Sequence, residues 1–429
     1  MNVVSAPLRL LGPALRYSAL TAVCLPSCFG KTNGDLAAVN SGDLSHPFAE
    51  RRPPEEPLHR ACGAASVTER GHAVLRRRPF LQQVTDGSAL LVLRMADPSA
   101  APPIEVTRPD GSHVLSATPA RDPSVPNQHV ATLRGLEPAT LYCYEIPGLV
   151  TKTGFVTAPA AGSRQPVRFA AIGDSGTGDS DQLAVAEQLG TVPFDFVVHL
   201  GDLAYEKGRP SEIERSFFGV YASLIANFPV FPIAGNHEYA TDDGAPFRQA
   251  FVLPENGGST GRERWYSFDW GDVHFVGLDT EVFGDEQTAW LEQDLSDNDR
   301  PWTVVLAHRP PFSSGKHGSS LRFRRDFVPI LERHRVALVL AGHEHNYERT
   351  SPINGVTYVV TGGGGRETRS VGVSAFTAFS EAVLHFVYVE IEGNQLALHA
   401  IDGVGREFDQ AVITRPAVLH QTEAADERR

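Results

Sequence analysis

The chain has 429 residues, which is enough for two or more domains, and 41% of them are hydrophobic, as is ordinary for a globular protein. The formal net charge of −13 excludes broad affinity for nucleic acid, because such binding needs a basic surface that displaces counterions from phosphates. Any phosphate chemistry in this protein must therefore be local.

Residues 1–28 are typical of an export signal. Arg9 and Arg16 occur there without any acidic residue, and the apolar run that follows is too short for a membrane-spanning helix. The segment LPSC resembles a bacterial lipoprotein cleavage box that would place a lipid on Cys28, although Pro26 fits that box poorly. We therefore expect an exported bacterial protein, with secretion, periplasmic location and lipid anchoring to the cell envelope as open alternatives.

Residues 29–72 are rich in Pro, Gly, Arg and Glu and show no sustained hydrophobic period, so we predict a flexible linker. Two cysteines, Cys62 and Cys143, lie outside the signal. In an oxidising compartment these two can form a disulfide, and two unrelated thiols are an equal alternative.

Residues 73–159 predict a small β-sandwich. The short alternating segments SALLVLRM, IEVTR, HVATL, CYEI and GFVTA are separated by Pro, Gly and Asp. The stretch LRGLEPATLYCYEI resembles the tyrosine corner of fibronectin type III-like domains, in which a tyrosine hydroxyl bonds to nearby backbone, and Tyr142 is the candidate. We interpret the sandwich as a structural companion of the following domain rather than as an adhesive module.

Residues 166–402 predict an α/β domain, and residues 403–429 a C-terminal tail. Strand-length apolar runs, VRFAAI, FDFVVHL, PVFPIA, VHFVGL, WTVVLA, VALVL and VTYVV, alternate with stretches of helical spacing such as QLAVAEQL and EQTAWLEQDL. Continuous apolar strands indicate burial on both faces and partly parallel sheets. In such folds ligands bind outside the carboxyl ends of the strands.

Metal-competent side chains follow five of these strands. The motifs are GDSG at 173–176, GDLAY at 201–205, GNHE at 235–238, His308 after WTVVLA, and GHEH at 342–345. Each motif alone has an ordinary explanation as a turn, a helix cap or a core residue, but five independent coincidences are improbable. The candidate ligands are Asp174, Asp202, Tyr205, Asn236, His308, His343 and His345.

The five motifs resemble those of the purple acid phosphatases, within the calcineurin-like metallophosphoesterase superfamily, and the resemblance spans about residues 74–402. It implies a βαβ sandwich of two mixed sheets flanked by helices, preceded by an all-β fibronectin type III-like sandwich. It also implies two metal ions. Fe(III) would be bound by Asp174, Tyr205, His345 and a bridging Asp202, and a divalent Fe, Zn or Mn by Asn236, His308, His343 and the same Asp202.

The residues themselves also favour two metals, because seven ligands exceed the need of a single four-coordinate site. Two metal ions about 3.5–4 Å apart clamp the attacking and leaving oxygens of a phosphoryl displacement and lower the pKa of bound water to about 7. Many relatives have Asp-x-His in the first motif, and here Gly176 occupies the histidine position. A phenolate from Tyr205 can replace that imidazole, and this hard anionic donor suits Fe(III) better than Zn(II).

Two further histidines are candidates for catalysis. The resemblance implies that His237, in the GNHE motif, faces substrate phosphate, where an imidazolium would stabilise charge or protonate the leaving group. His317 lies nine residues after His308, where the family carries a substrate-facing histidine. Arg309 and Lys316 either steer phosphate or are ordinary surface charges. We interpret four histidines within predicted strands as structural: His199, His274, His385 and His399.

The leading hypothesis is an acid phosphatase in which hydroxide bound at an Fe(III)–divalent centre attacks a small phosphate monoester. A phosphodiesterase or nucleotide pyrophosphatase on the same scaffold is the first alternative, because the metals do not select the ester. A surface adhesion protein with a vestigial metal site is the second, although none of the seven ligands is missing. A protein Ser/Thr phosphatase is disfavoured, because DSG and GDLAY depart from the DxHG and GDxVDRG patterns. Contact with a membrane would come only through a lipid on Cys28.

Overall fold

The structure is a computed structural model that describes residues 51–98 and 100–415. The predicted export signal, Cys28 and the first part of the predicted linker lie outside these residues, as does the end of the predicted C-terminal tail. In the described part of the chain, no helix is both long enough and apolar enough to cross a bilayer.

Short alternating strands form an all-β sandwich, as predicted, because period-two alternation buries one face of each sheet. The elements are α1 (Glu56–Cys62), α2 (Glu69–Val74), β1 (Leu75–Gln82), β2 (Ser88–Met95), β3 (Ile104–Thr107), β4 (His113–Ala117), β5 (Ala120–Arg121), β6 (Gln128–Arg134), β7 (Leu141–Ile146) and β8 (Val150–Val156). The two sheets have the orders β1-β2-β6-β5 and β4-β3-β7-β8. The backbone N–H of Glu137 donates to the Tyr142 hydroxyl at 2.8 Å, which is the contact predicted for a tyrosine corner.

The linker prediction is wrong for residues 56–62, which form α1, and for residues 69–72, which form most of α2. Cys62 at the end of α1 is joined by a disulfide to Cys143 in β7, and Leu58 is the buried residue of this helix. Both helices are too short to show a helical period in the sequence. A disulfide between residues 81 positions apart lowers the conformational entropy of the unfolded chain and so raises the free energy of unfolding by about 4 kcal/mol. This gain compensates for the weak helical preference of such a short segment.

Side chains of the sandwich bind backbone groups of the α/β domain. The Gln82 amide donates to the carbonyl of Val230 at 2.7 Å and accepts from the N–H of Val252 at 2.7 Å. The Tyr144 hydroxyl donates to the carbonyl of Ala226 at 2.7 Å. Bonds between buried groups of this kind hold one orientation, which supports the interpretation of the sandwich as a structural companion.

Two mixed sheets build the α/β domain and confirm the predicted fold class. Their strands are β9 (Val167–Ile172), β10 (Phe196–His199), β11 (Val230–Pro232), β12 (Tyr266–Trp270), β13 (Val273–Gly277), β14 (Trp302–Ala307), β15 (Leu338–Ala341), β16 (Tyr347–Thr350), β17 (Thr357–Thr361), β18 (Thr377–Glu381), β19 (His385–Glu392), β20 (Gln395–Asp402) and β21 (Glu407–Thr414). The orders are β11-β10-β9-β19-β20-β21 and β12-β13-β14-β15-β17-β16-β18. Strands β13, β14, β15 and β17 are buried along their whole length, as their continuous apolar runs predict.

Helices lie beside these sheets. They are α3 (Ser180–Leu189), α4 (Pro210–Ile213), α5 (Gly219–Ile225), α6 (Asn236–Tyr239), α7 (Ala245–Ala250), α8 (Asp285–Asp297), α9 (Leu321–Asp326) and α10 (Val328–Arg333), with a π-helical turn at Glu214–Phe218 and a 3₁₀ turn at Asp242–Gly244. Leu291 of α8, Phe323 of α9 and Leu331 of α10 share one core with Val305 of β14 and Val339 of β15. Burial of this apolar face holds the helices on the second sheet.

Aromatic side chains join the two sheets. Phe169 of β9 and Phe196 of β10 each contact Phe275 of β13 edge-on, with ring centroids 5.2 Å apart. Phe231 of β11 stacks on Phe268 of β12 at 3.7 Å. Such rings bury large apolar areas and prefer defined geometries, so they fix how one sheet lies over the other.

The register of the parallel strands brings their carboxyl ends together. His199, the last residue of β10, pairs with Ile172 and Pro232, the last residues of β9 and β11. In the second sheet, the final residues Ala307 of β14 and Ala341 of β15 pair with each other. The polar motifs follow directly after these strands, so each sheet presents them at a single edge.

The boundary between the predicted domain and its tail is also wrong, because residues 407–414 form β21 and pair antiparallel with β20. The sequence of this strand, EFDQAVIT, has only three consecutive apolar residues, which is shorter than the apolar runs of the buried strands. β21 lies at the edge of its sheet, and its residues are at most half-buried, so pairing of backbone groups rather than burial defines it.

The four histidines interpreted as structural have protein partners. These are Ser175 for His199, Asp269 and Asp294 for His274, the Val383 carbonyl for His385, and Glu407 for His399. Burial lowers the pKa of His274, but hydrogen bonds to Asp269 at 2.7 Å and Asp294 at 2.9 Å outweigh it and raise the pKa from 6.5 to about 9. A buried imidazolium therefore links β12, β13 and α8.

We expect His274→Gln to lower the free energy of unfolding by roughly 3 kcal/mol at about pH 6, since the raised pKa stabilises the folded state fully below the unfolded value. That contribution is lost as the pH rises through about 9, so the difference from the unsubstituted protein should shrink there. Urea unfolding at the two pH values measures both. His72→Gln, an exposed change in α2, is the control. An equal loss at both pH values would mean that His274 is neutral.

Candidate metal centre

Tyr205 contacts three of the other candidate ligands. Its hydroxyl lies 3.2 Å from Asp174 Oδ1, 3.3 Å from Asp202 Oδ2 and 3.4 Å from His345 Nε2. His345 Nε2 is also 3.7 Å from Asp174 Oδ1. These four side chains come from the loops after β9, β10 and β15, so both sheets contribute to this half of the site.

The remaining candidates surround His308. Its Nε2 lies 3.1 Å from Asn236 Oδ1 and 3.5 Å from Asp202 Oδ1. The ring of His343 is 5.1 Å from the ring of His308, centroid to centroid, and the His343 backbone N–H donates to Asp174 Oδ2 at 2.7 Å. Asp202 therefore contacts both halves, through one carboxylate oxygen each.

Two of the histidines are oriented by backbone carbonyls. His308 Nδ1 donates to the carbonyl of Leu200 at 2.8 Å, and His345 Nδ1 donates to the carbonyl of Glu367 at 2.9 Å. A proton on Nδ1 leaves the lone pair on Nε2, the nitrogen that faces the carboxylates. Metal-binding histidines in proteins are oriented in the same way.

The electrostatics of the cluster fit a metal cation. Asp174, Asp202 and His308 are all buried and offer ligand atoms within 4.8 Å of one another. Burial and the charge of Asp202 raise the pKa of Asp174 well above its usual value, and burial and the two carboxylates do the same for Tyr205. A cation would reverse both shifts, because it favours the ionised oxygens.

The backbone is strained where it presents these ligands. Asp174, Asp202 and His343 have φ angles of 57°, 55° and 71°, in the left-handed region that non-glycine residues rarely adopt. Such conformations cost about 1 kcal/mol or more each and persist only where the surroundings impose them. Their occurrence at three candidate ligands indicates a site that is held ready for its ligand.

Glu238 is a residue that the sequence interpretation missed, although it lies in the quoted GNHE motif. It is fully buried, and its carboxylate accepts from the N–H groups of Asp202 and Gly235 at 2.8 Å and of Ala204 at 3.1 Å. Burial and the nearby Asp202 raise its pKa to about 8. Glu238 thereby ties the second motif loop to the third. The sequence signal was an acidic residue in the first turn of a helix.

The structure brings both candidate catalytic histidines to the cluster. The ring of His237 is 4.5 Å from that of Tyr205, and its Nδ1 donates to the carbonyl of Glu206 at 2.7 Å. With its Nδ1 bonded to this carbonyl, His237 turns its other ring nitrogen, Nε2, towards the cluster, 3.9 Å from Asp202 Oδ2. The ring of His317 is 4.6 Å from that of His343.

Glu344 is the second residue that sequence reasoning missed. It is fully buried between two candidate ligands in the chain, accepts from the backbone N–H of His317, and lies 3.3 Å from His317 Nδ1. A carboxylate at that nitrogen fixes the rotation of the imidazole. Only the folded chain shows this contact, because 27 positions separate the two residues.

Arg309 and Lys316, the two candidates for steering phosphate, differ in their position relative to the cluster. Arg309 makes a two-pronged bond with Glu281 at 2.6 and 2.8 Å, and its Nη1 lies 3.0 Å from His343 Nε2. Arg309 therefore lies at the ligand cluster, and Glu281 offsets most of its positive charge. Lys316 is exposed beside His317.

Known proteins resemble this chain in both sequence and fold. Residues 167–347 match the family model of the calcineurin-like phosphoesterases. An uncharacterized protein of Mycobacterium tuberculosis is 27% identical over 370 residues, which cover 72% of this chain and 68% of that protein. Purple acid phosphatase 21 of Arabidopsis thaliana is 31% identical over 258 residues, 55% of this chain and 58% of its own length.

Among solved structures, a purple acid phosphatase from yellow lupin seeds has a TM-score of 0.70 at 23% identity, covering 79% of this chain and 74% of that one. This likeness concerns the fold. The match covers little more than half of the Arabidopsis protein. The activity of that whole protein is therefore not assigned to this chain from the match alone.

We expect Asp202→Asn to raise the thermal stability of the metal-free protein while lowering its metal content. The substitution removes one of two buried carboxylates that repel each other, and its amide oxygen can still accept the bond from the His237 N–H at 3.0 Å. The gain should be about 1–2 kcal/mol. Thermal unfolding after chelation, together with metal analysis, measures both effects.

Asp299→Asn is the matched control, because that side chain is 86% exposed. It should change neither quantity. Lower stability of metal-free Asp202→Asn protein would show that the two carboxylates do not oppose each other.

Proposed function

We propose that this chain, which belongs to the calcineurin-like phosphoesterase family through residues 167–347, is an exported acid phosphatase of the purple acid phosphatase type that hydrolyses phosphate monoesters. One observation carries the proposal: all seven candidate ligands from five separate loops lie in one contiguous cluster, with Asp202 in contact with both halves. A vestigial site would not be expected to retain the full set.

The donor set favours Fe(III) and a divalent Fe, Zn or Mn ion. When bound, two such ions would activate water and offset the negative charge of the phosphoryl group in transit. The residues around Tyr205 supply anionic oxygens, which suit a trivalent ion, whereas those around His308 supply neutral nitrogens and an amide oxygen. A phenol so deeply buried beside two carboxylates would ionise only next to a strong cation.

Side chains of this protein would supply the proton that the departing alcohol needs. In hydrolysis the phosphorus–oxygen bond to the alcohol breaks, and the departing oxygen needs a proton. His237 and His317 each have one ring nitrogen committed to a protein partner, so Nε2 of either residue can donate. Glu344 beside His317 favours His317 for this transfer, because the carboxylate holds the ring in one orientation.

Export is part of the proposal. The first 28 residues carry the features of a signal, with a lipid on Cys28 as the alternative to release. The Cys62–Cys143 disulfide supports an oxidising compartment. We further propose that the fibronectin type III-like sandwich serves to support the α/β domain.

The test is a substrate panel on protein of measured metal content. We expect p-nitrophenyl phosphate to be hydrolysed much faster than its bis ester, and the activity to be lost in Asp202→Asn. Asp299→Asn again serves as the control. Faster hydrolysis of the bis ester or of a nucleotide pyrophosphate bond would establish the alternative enzyme classes. No hydrolysis by metal-loaded protein would favour a non-enzymatic surface protein.

Tyr205→Phe should abolish a visible charge-transfer band. Phenolate bound to Fe(III) absorbs in the visible range, and phenylalanine offers no oxygen to the metal. Tyr358→Phe is the matched control, because the Tyr358 hydroxyl is buried and has no hydrogen-bond partner among the described residues, so its removal should leave the spectrum unchanged. Colourless, iron-free protein with full activity would refute the assignment of Fe(III).

Leaving-group dependence should identify the proton donor. Removing a general acid costs about 10²–10⁴-fold in kcat for an alkyl phosphate and much less for p-nitrophenyl phosphate, whose alcohol departs without help. We expect His317→Ala to show this difference and His237→Ala to lower both rates alike. The opposite pattern would assign the proton to His237.

A further inference from the structure

The segment after β17 passes directly over the metal-centre loops. A Cβ atom at Gly362 would lie 2.8 Å from Asp174 Oδ2, and one at Gly364 would lie 2.3 Å from the carbonyl of Gly173, so only glycine permits this approach. The N–H of Gly364 donates to that same carbonyl at 2.9 Å. The glycine run at residues 362–365 therefore brings the chain across the metal-centre loops to the rim of the site, where Arg366 and Arg369 lie.

Backbone bonds then fix the next residues of this segment. The N–H of Arg366 donates to the carbonyl of Asp174 at 3.0 Å, and the N–H of Arg369 donates to the carbonyl of His345 at 2.9 Å. Both anchors are candidate metal ligands. The positions of Arg366 and Arg369 are thus tied to the metal centre itself and are not those of a free surface loop.

The two guanidinium groups lie beside a candidate metal ligand and a candidate catalytic histidine. Arg366 Cζ is 4.7 Å from the centroid of the Tyr205 ring. Arg369 Nη1 is 3.5 Å from His317 Nδ1. Both arginines are half-buried, which strengthens their interaction with a bound anion relative to that of a fully solvated charge.

The charge of these arginines is incompletely offset. Arg309, also at the centre, is neutralised by Glu281, of which only 12% of the side chain is exposed. Arg366 pairs at 2.7 Å with Glu206, a side chain 59% exposed and therefore weakly held. Arg369 forms no ion pair with any described residue. The rim thus offers positive charge in a protein whose net charge is −13.

We propose that Arg366 and Arg369 form a subsite for a second anionic group of the substrate, a phosphate or a carboxylate. The preferred substrates would then be phosphate monoesters that carry additional negative charge. This inference rests on the proposed function and extends it, because the metal centre would hold only the phosphate that is cleaved. Arginine suits the task, since its planar donors can bind either anion with two parallel hydrogen bonds.

Matched substrate pairs provide the test. 3-Phosphoglycerate and glycerol 3-phosphate differ by a carboxylate in place of a hydroxymethyl group. Glucose 1,6-bisphosphate and glucose 6-phosphate differ by one phosphate. We expect kcat/KM to be at least about tenfold higher for the more anionic member of at least one pair, since hydrogen bonds to charged groups are worth that factor or more. The pair that shows the effect identifies the second anion.

Substitution of the arginines should remove this selectivity. In Arg366→Gln plus Arg369→Gln protein, we expect the kcat/KM ratio within the responding pair to fall about tenfold, chiefly through KM, and Arg369→Lys to recover part of it. Arg262→Gln, an exposed arginine paired with Glu255, should leave the ratio unchanged. A low ratio in the unsubstituted protein, or a ratio indifferent to both arginines, would overturn the subsite.

The two proposals fail in different ways. Metal-loaded protein without activity on any monoester would overturn the proposed function. Hydrolysis of p-nitrophenyl phosphate without selectivity inside the matched pairs would retain the phosphatase and reject the subsite alone. Metal analysis of each variant separates loss of the anion subsite from damage to the metal centre.

Discussion

Asp174 and Asp202 are buried carboxylates at the junction of the two sheets, and their mutual repulsion is the constraint on which the rest of the structure depends. Two anions in such a place are unfavourable unless a cation joins them. The fold must therefore hold them together without one. It does so with backbone N–H groups, since His343 donates to Asp174 and His237 donates to Asp202.

The rigidity that keeps Asp174 and Asp202 close together comes from parts of the fold outside the ligand cluster. Aromatic rings between the sheets fix how the sheets overlap, and parallel register fixes which strand ends meet. Glu238 then holds two loops by three backbone N–H groups, although its own burial is costly. The free energy gained by packing thus offsets the left-handed backbone at the ligands, which is the usual division between scaffold and site.

The strands and their terminal motifs were predictable because both are local properties. An apolar run of strand length and the polar residue that follows it are neighbours in the chain, and their relation does not depend on distant contacts. The helix α1 was not predictable in this way, because it is held by a disulfide to β7 and by one buried leucine. The strand β21 was missed for a similar reason, since its backbone pairing with β20 leaves no apolar pattern.

The sequence by itself determined the kinds of ligand atoms, their placement after buried strands and the number of loops that carry them, because these follow from residue type and hydrophobic period. Tertiary structure alone decided that Nε2 of His308 and of His345 faces the carboxylates, that Glu344 lies against His317, and that the glycine run brings Arg366 and Arg369 to the rim. These relations join residues far apart in the chain. Distances of 3 Å between such residues depend on how the two sheets pack, and no local pattern encodes that packing.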